Sequence, residues 1–126
     1  MQGLHLTADL RGCRCERRWL LDAEALLAFC YRAAVDVGLT AVAQLTHAFN
    51  ATAHGPGGVT ATVLLAESHL CIHTWPEHDA VTLDVFVCNV ARDHSVAAEQ
   101  LLCVLIEKFE PAQCDRQRLS RGSITT

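Results

Sequence analysis

Four segments with strand patterns stand together in the middle of the chain, with a helical pattern before them and another after them. The alternation of apolar and polar residues from Val81 to Val87 is typical of a half-buried strand. The β-branched and aliphatic run from Val59 to Ala66 is typical of a buried one. Strand patterns cover 4–10, 40–49, 59–66, 70–74, 81–87 and 113–119. Strands grouped between two helices indicate an α+β fold.

The two helical patterns cover 22–37 and 95–109. Asp22 is a suitable N-cap for the first helix and Gly38 a suitable stop, and Ser95 or Asp93 can cap the second. Apolar residues at helical spacing form one stripe on each helix: Leu26, Phe29, Cys30, Ala33 and Val37 on the first, and Val96, Leu102, Leu105, Ile106 and Phe109 on the second. The order β-α-β-β-β-β-α-β predicts a two-layer sandwich, with both helices on one face of an antiparallel sheet.

The sheet face without helices needs another cover. Phe86 falls on this face, so we expect two sheets to stack face to face in a homodimer. The length of 126 residues favours a single domain, 1–126.

Composition excludes several classes of protein. Charged residues make up 19% and hydrophobic residues 51%, a globular balance, and the net charge of −4 excludes a strongly basic surface for nucleic acid. No apolar run is long enough to cross a membrane, and the N-terminus lacks a signal-peptide pattern, so we expect a cytoplasmic protein. Seven cysteines without a C-x-x-C pair predict reduced thiols.

Reactive side chains are concentrated from Ala66 to Glu77, directly after a buried strand, where polar groups are costly unless paired or used. One interpretation is a metal site of His69, Cys71 and His73. In a strand, however, the two histidine Cα atoms lie about 13 Å apart, too far to share one ion. A second interpretation is a set of hydrogen-bonded core residues in a binding module. A third is self-processing.

The third interpretation rests on a family resemblance. The segment AESHLCIHTWPE (66–77) closely resembles the E-S-H-x-x-I-H-T-W-P-E signature of prokaryotic S-adenosylmethionine decarboxylases. Residues 5–13 are similar to the family's first strand, residues 58–60 to its G-V-S/T element and residues 84–88 to its D-x-F-x-C strand. The resemblance covers about residues 4 to 120.

The resemblance implies that the chain cuts itself. Ser68 would attack the carbonyl of Glu67, and an N→O acyl shift followed by elimination would leave a covalent pyruvoyl group at position 68. The products would be a β chain, 1–67, and an α chain, 68–126. His73 would be the acid/base of this processing, and the Thr60 hydroxyl would assist it.

The resemblance also implies the reaction and its cofactor. The pyruvoyl group would form a Schiff base with S-adenosylmethionine, and loss of CO2 would give the decarboxylated product used for spermidine. Cys88 would return a proton to the former α-carbon. Phe49 would stack on adenine, Glu77 would bond the ribose hydroxyls and Trp75 would pack in the fold. No metal is implied.

Three features depart from the family pattern. The loop 50–58 is longer than the family's F-x-P-x-G link, and Ala61 and Asn89 stand where glycine is common. Because the loop borders the substrate residues, ornithine or arginine is an alternative substrate. The distal cation of such a substrate would need an acidic group: Asp79, Glu77 or Asp84. An unprocessed, non-enzymatic homologue is the alternative of another class.

Overall fold

The computed structural model describes residues 2–122 and contains one six-stranded antiparallel sheet. The strands are β1 (Gly3–Arg11), β2 (Ala41–Ala48), β3 (Val59–Leu65), β4 (Ser68–Trp75), β5 (Ala80–Cys88) and β6 (Gln113–Arg121). The helices are α1 (Arg18–Leu21), α2 (Ala23–Asp36) and α3 (Ser95–Phe109), with a 3-10 turn at Pro76–His78. The order across the sheet is β2-β3-β4-β5-β1-β6. The predicted fold class is confirmed.

The core lies between the helices and one face of the sheet. Alternate residues of the central strands point into it, such as Leu70 and Ile72 of β4, which are fully buried. All four apolar residues predicted on one face of β5 are buried: Val81, Leu83, Val85 and Val87. Helix α2 packs on β2 and β3, and α3 packs on β1 and β5. This layer fixes the register of the strands and therefore of the site residues on them.

The helix ends follow the predicted signals with two differences. Asp22 caps α2, as predicted, by accepting a hydrogen bond from the Ala25 N–H. The N-cap residue of α3 is His94 and not Ser95 or Asp93, although the Asp93 carboxylate accepts a hydrogen bond from the Ser95 N–H. Val96 does not belong to the buried stripe, because 71% of it is exposed. Within residues 2–122, no helix has the length and apolar character that a bilayer crossing requires.

The opposite face of the sheet, here called the open face, is not covered by any of the three helices. It carries polar and aromatic side chains from neighbouring strands: His5, Thr60, Thr62, His69, Cys71, His73, Trp75, Asp84 and Phe86. Leu45 and Leu64 also lie on it and expose 74% and 47% of their surface. The position predicted for Phe86 is confirmed.

The cysteines are free thiols in different environments. Burial, followed by the neighbouring Cys15 and Asp79, raises the pKa of Cys13 to about 11, and burial raises the pKa of Cys30 to about 12. Cys103, which the sequence places in an apolar helical pattern, is instead exposed on α3.

These thiols should differ in their rate of alkylation. The raised pKa of Cys13 keeps this thiol protonated at pH 8, and the thiolate is the nucleophile. Iodoacetamide should therefore modify Cys103 well before Cys13 or Cys30 in the folded protein, as measured by peptide mass. Equal rates for all three in the native state would contradict this, and equal rates in urea are the control.

Candidate active site

The turn between β3 and β4 holds a strained residue. Leu65 pairs with Ser68, so only Ala66 and Glu67 form the hairpin loop. Glu67 has φ of 61°, in the left-handed region, and Ala66 does not have positive φ. Favoured two-residue hairpin turns have positive φ at both loop residues, or at the first where it is glycine. A non-glycine residue held there stores roughly 1–3 kcal/mol of backbone strain. The strain lies directly before Ser68.

Ser68 is fixed at one end of the sheet. Its Oγ accepts a hydrogen bond of 3.1 Å from the Cys88 N–H, which brings the last residue of β5 to the first residue of β4. Cys88 is buried, with 8% exposed. We call Glu67, Ser68 and Cys88 the cleavage cluster.

Asn89, which stands where the family commonly has glycine, has a structural role. Its side-chain oxygen accepts from the His94 N–H at 2.8 Å, and its side-chain nitrogen donates to the Ser95 hydroxyl at 3.2 Å. The amide thus ties the end of β5 to the start of α3, and this departure does not alter the cleavage cluster.

His73 lies in a chain of four polar side chains on the open face. Its Nδ1 is 3.0 Å from Thr60 Oγ1, directly across the β3–β4 ladder. Its Nε2 is 3.5 Å from Cys71 Sγ, and that sulfur is 3.2 Å from Thr62 Oγ1. We call Thr60, Thr62, Cys71 and His73 the imidazole chain. The sequence singled out Thr60 and His73 for processing, named Cys71 only in the metal interpretation and gave no role to Thr62.

The structure does not bring Ser68 and His73 together within one chain. They are five residues apart on the same strand, which separates their Cα atoms by roughly 16 Å. By alternation Ser68 lies on the side of Leu70 and Ile72, whereas His73 lies on the open face. The predicted catalytic residues therefore form two groups, the cleavage cluster and the imidazole chain.

A cavity of about 860 Å³ adjoins the imidazole chain. Thr60 and His73 line it, together with the two residues predicted to bind a nucleoside, Phe49 and Glu77. Trp75, which the sequence assigns to packing rather than to substrate contact, also lines it and is 45% exposed. A volume of this size is typical of small-molecule sites.

The loop 50–58 forms an ordered wall of this cavity. The N–H of Phe49 donates to the carbonyl of Gly58, and Thr52 and Gly55 exchange two backbone hydrogen bonds near the tip. A Cβ at Gly58 would come within 2.1 Å of the Thr74 carbonyl oxygen, so this close approach requires glycine. The departure in length thus enlarges the wall of the predicted substrate pocket.

His5, His69 and Asp84 form another cluster on the open face. Both imidazole Nε2 atoms lie 3.0–3.1 Å from the same carboxylate oxygen, Asp84 Oδ2. The Arg121 guanidinium lies 2.9 Å from His5 Nδ1 and can only donate a hydrogen bond. A neutral His5 therefore carries its proton on Nε2, and this N–H donates a hydrogen bond to Asp84. The nitrogen that would bind a metal is thereby occupied. His69 also contacts Asp84 rather than Cys71 or His73, so the three residues of the metal interpretation do not converge.

Comparison with known proteins identifies the family. The family model of S-adenosylmethionine decarboxylase matches residues 4–122. The chain belongs to this family. The S-adenosylmethionine decarboxylase proenzyme of Hydrogenobaculum sp. (strain Y04AAS1) is 37% identical over 97% of this chain and 83% of that protein. The corresponding proenzyme of Archaeoglobus fulgidus is 36% identical over 95% of this chain and 97% of that protein.

The fold of the S-adenosylmethionine decarboxylase family is shared as well. The crystal structure of the adenosylmethionine decarboxylase from Aquifex aeolicus VF5 matches with a TM-score of 0.81 and 31% identity, over 98% of this chain and 92% of that chain. The predicted family and enzyme class, a decarboxylase, are confirmed.

None of these findings supports ornithine or arginine as the substrate. The local contacts agree: Asp79 is paired with Arg17 at 2.6 Å, and Asp84 accepts from two imidazoles. Two of the three acidic groups considered for a distal cation are therefore already engaged.

Proposed function

We propose that this chain decarboxylates S-adenosylmethionine with a pyruvoyl group that it makes from Ser68 by cutting the Glu67–Ser68 bond. The observation that carries the proposal is the positive φ of Glu67 directly before a serine whose Oγ is already positioned. A peptide bond is stable, and a strained backbone beside a fixed nucleophile lowers the barrier to its rearrangement. The cytoplasmic location expected from the sequence is part of the same proposal.

The cleavage can be written in balanced steps. The Ser68 Oγ bonds to the carbonyl carbon of Glu67 and the C–N bond breaks, which converts the amide into an ester. A base removes the α-proton of residue 68 and the Cβ–O bond breaks, so that Glu67 leaves as a carboxylate. Water then replaces the nitrogen of the dehydroalanine, which leaves as ammonia. We assign the proton transfers to His73 and the support of the oxyanion to the Thr60 hydroxyl.

Two copies of the chain are needed to assemble this site. About 16 Å separates Ser68 from His73 of the same chain, far beyond hydrogen-bond reach. Ser68 is the first residue of β4 and is only partly buried, so stacking of two open faces, as expected from the sequence, would let His73 of the partner subunit reach Ser68 around the end of the sheet. Exposed Leu45, Leu64 and Trp75 give the open face the apolar surface that such an interface requires. We therefore propose a homodimer with two composite sites.

The substrate pocket is proposed from the same face. The cavity offers Phe49 as an aromatic surface for adenine and the Glu77 carboxylate for the ribose hydroxyls. The pyruvoyl carbonyl supplies the electron sink for the loss of CO2. We assign the return of the proton to Cys88, whose backbone N–H lies 3.1 Å from Ser68 Oγ.

Release of labelled CO2 from S-adenosylmethionine, ornithine and arginine tests the proposed function. We expect release from S-adenosylmethionine alone, together with two chains of 67 and 59 residues by intact mass (126 − 67 = 59). Cleavage accompanied by release of CO2 from ornithine or arginine would overturn the assignment of S-adenosylmethionine as the substrate. A stable uncut chain would overturn the enzyme mechanism.

Replacement of Cys88 by alanine should separate cutting from turnover. We expect the Cys88→Ala chain to cut at position 68, because its backbone N–H to Ser68 Oγ is retained. Decarboxylation should fall by roughly 10²- to 10⁴-fold, the contribution of a positioned proton donor. Electrophoresis measures the first quantity and labelled CO2 the second. Equal loss of both would contradict the role assigned to Cys88.

A further inference from the structure

The imidazole chain contains a thiol that the proposed function does not use. Cys71 lies two residues before His73 on β4, so both side chains are on the open face. Its Sγ is in contact with His73 Nε2 on one side and with Thr62 Oγ1 on the other. Cys71 is therefore neither a core thiol nor an isolated surface one.

The two nitrogens of a neutral imidazole have different roles, because one donates and the other accepts. The four side chains can therefore be hydrogen-bonded in either of two directions. In one direction Thr60 donates to His73 Nδ1, and Nε2–H donates to Cys71. In the other, Cys71 S–H donates to Nε2, and Nδ1–H donates to Thr60 Oγ1.

The direction decides what Thr60 can do. Its hydroxyl has a single proton. If that proton is donated to His73 in a hydrogen bond, Thr60 has no proton left to donate to the oxyanion that forms during cleavage. If His73 instead donates to Thr60, the Thr60 hydroxyl keeps its proton for a group in the cavity that both residues line. Only the second direction makes Thr60 the oxyanion donor that the proposed function requires.

We propose that Cys71 is a positioning residue that donates to His73 Nε2, fixes the Nδ1–H tautomer and thereby leaves the Thr60 hydroxyl free to donate. This role of Cys71 rests on the proposed function, in which the Thr60 hydroxyl stabilises the oxyanion. Cys71 acts through His73 and does not touch the reacting atoms; when His73 accepts a proton during processing, Nε2 takes it in place of the 3.5 Å contact with Cys71, and Nδ1–H stays on Thr60. Thr62 completes the arrangement by donating its own hydroxyl proton to the sulfur.

The rate of self-cleavage tests the proposal. Newly synthesised Cys71→Ala and Cys71→Val chains should cut about tenfold more slowly, a small part of the roughly 10²- to 10⁴-fold contributed by an acid–base group. Cys71→Ser, which restores a donor, should cut at nearly the normal rate. Cys114→Ala, at an exposed cysteine on β6, is the control and should cut normally. A normal rate for Cys71→Ala, or a serine variant as slow as alanine, would overturn the proposal.

The ring tautomer gives a second measurement that does not depend on activity. In a Ser68→Ala background, nitrogen-15 shifts of His73, assigned with His73→Gln, should show a proton on Nδ1. Added Cys71→Ala should shift the ring toward the Nε2–H form, whereas Cys114→Ala should not. A proton on Nε2 in the parent would overturn the proposal. Failure of the unmodified chain to cut would overturn the proposed function instead, and the tautomer measurement would still decide the role of Cys71.

Discussion

The Ser68→Ala chain should remain a single uncut polypeptide of 126 residues. Alanine removes the oxygen that must bond to the Glu67 carbonyl carbon. The strain at Glu67 stays in place, because it belongs to the two-residue turn and not to the serine. Intact mass after prolonged incubation measures the result, and we expect no pyruvoyl and no decarboxylation.

Ser120→Ala is a suitable control for that experiment. Ser120 is exposed on the edge strand β6, so its loss should leave cutting unchanged. Cleavage of the Ser68→Ala chain at the same bond would show that another group attacks the carbonyl, and the proposed mechanism would then be wrong.

Two inactive variants should restore cleavage when they share a dimer. We expect neither Ser68→Ala nor His73→Ala to cut alone. In a mixed dimer, one composite site would combine Ser68 of the His73→Ala chain with His73 of the other, and the second site would have neither. The His73→Ala chain should therefore be cut in the mixture. If the two variants associate randomly in equal amounts, about half of its copies are in mixed dimers.

Differently tagged copies of the two variants make the outcome unambiguous. Cleavage should appear only in the tagged His73→Ala chain and only after co-expression. Co-purified mixed dimers without cleavage would contradict a shared site, and the roughly 16 Å between Ser68 and His73 would then have to be closed within one chain. Ser120→Ala, which keeps both Ser68 and His73 and is changed only at an exposed position on β6, serves as a positive control partner for tagged His73→Ala. The intact His73 of the control chain would meet Ser68 of the tagged chain, so this pair should also restore cutting of the His73→Ala chain.

Much of the fold could be predicted because its patterns are local. The alternation in β5 and the Asp22 cap each specify an element without reference to the rest of the chain. The four-residue helix α1 could not be predicted, since it is too short to show a period. Val96 fits the helical spacing of the apolar stripe, but its position in the first turn of α3 leaves it exposed.

The site was predictable as a set of residues but not as an arrangement. The motif places Ser68 and His73 close in sequence, and only the extended strand reveals that they face different sides of the sheet. Nothing in a glutamate indicates positive φ, so the strain at Glu67 follows from the turn that the two strands impose. The contact between Cys71 and His73 likewise depends on strand register.

If the chain is cut as we propose, the order of the strands has a consequence for the two fragments. The fragment 1–67 contains β1, β2 and β3, and the fragment that starts at Ser68 contains β4, β5 and β6. Because β1 lies between β5 and β6, and β3 lies against β4, the fragments share three strand interfaces. They are interleaved, and dilution alone should not part them. Once unfolded, however, two separate fragments would have to find each other again, so recovery of the sheet should depend on their concentration, whereas an uncut chain carries all six strands together.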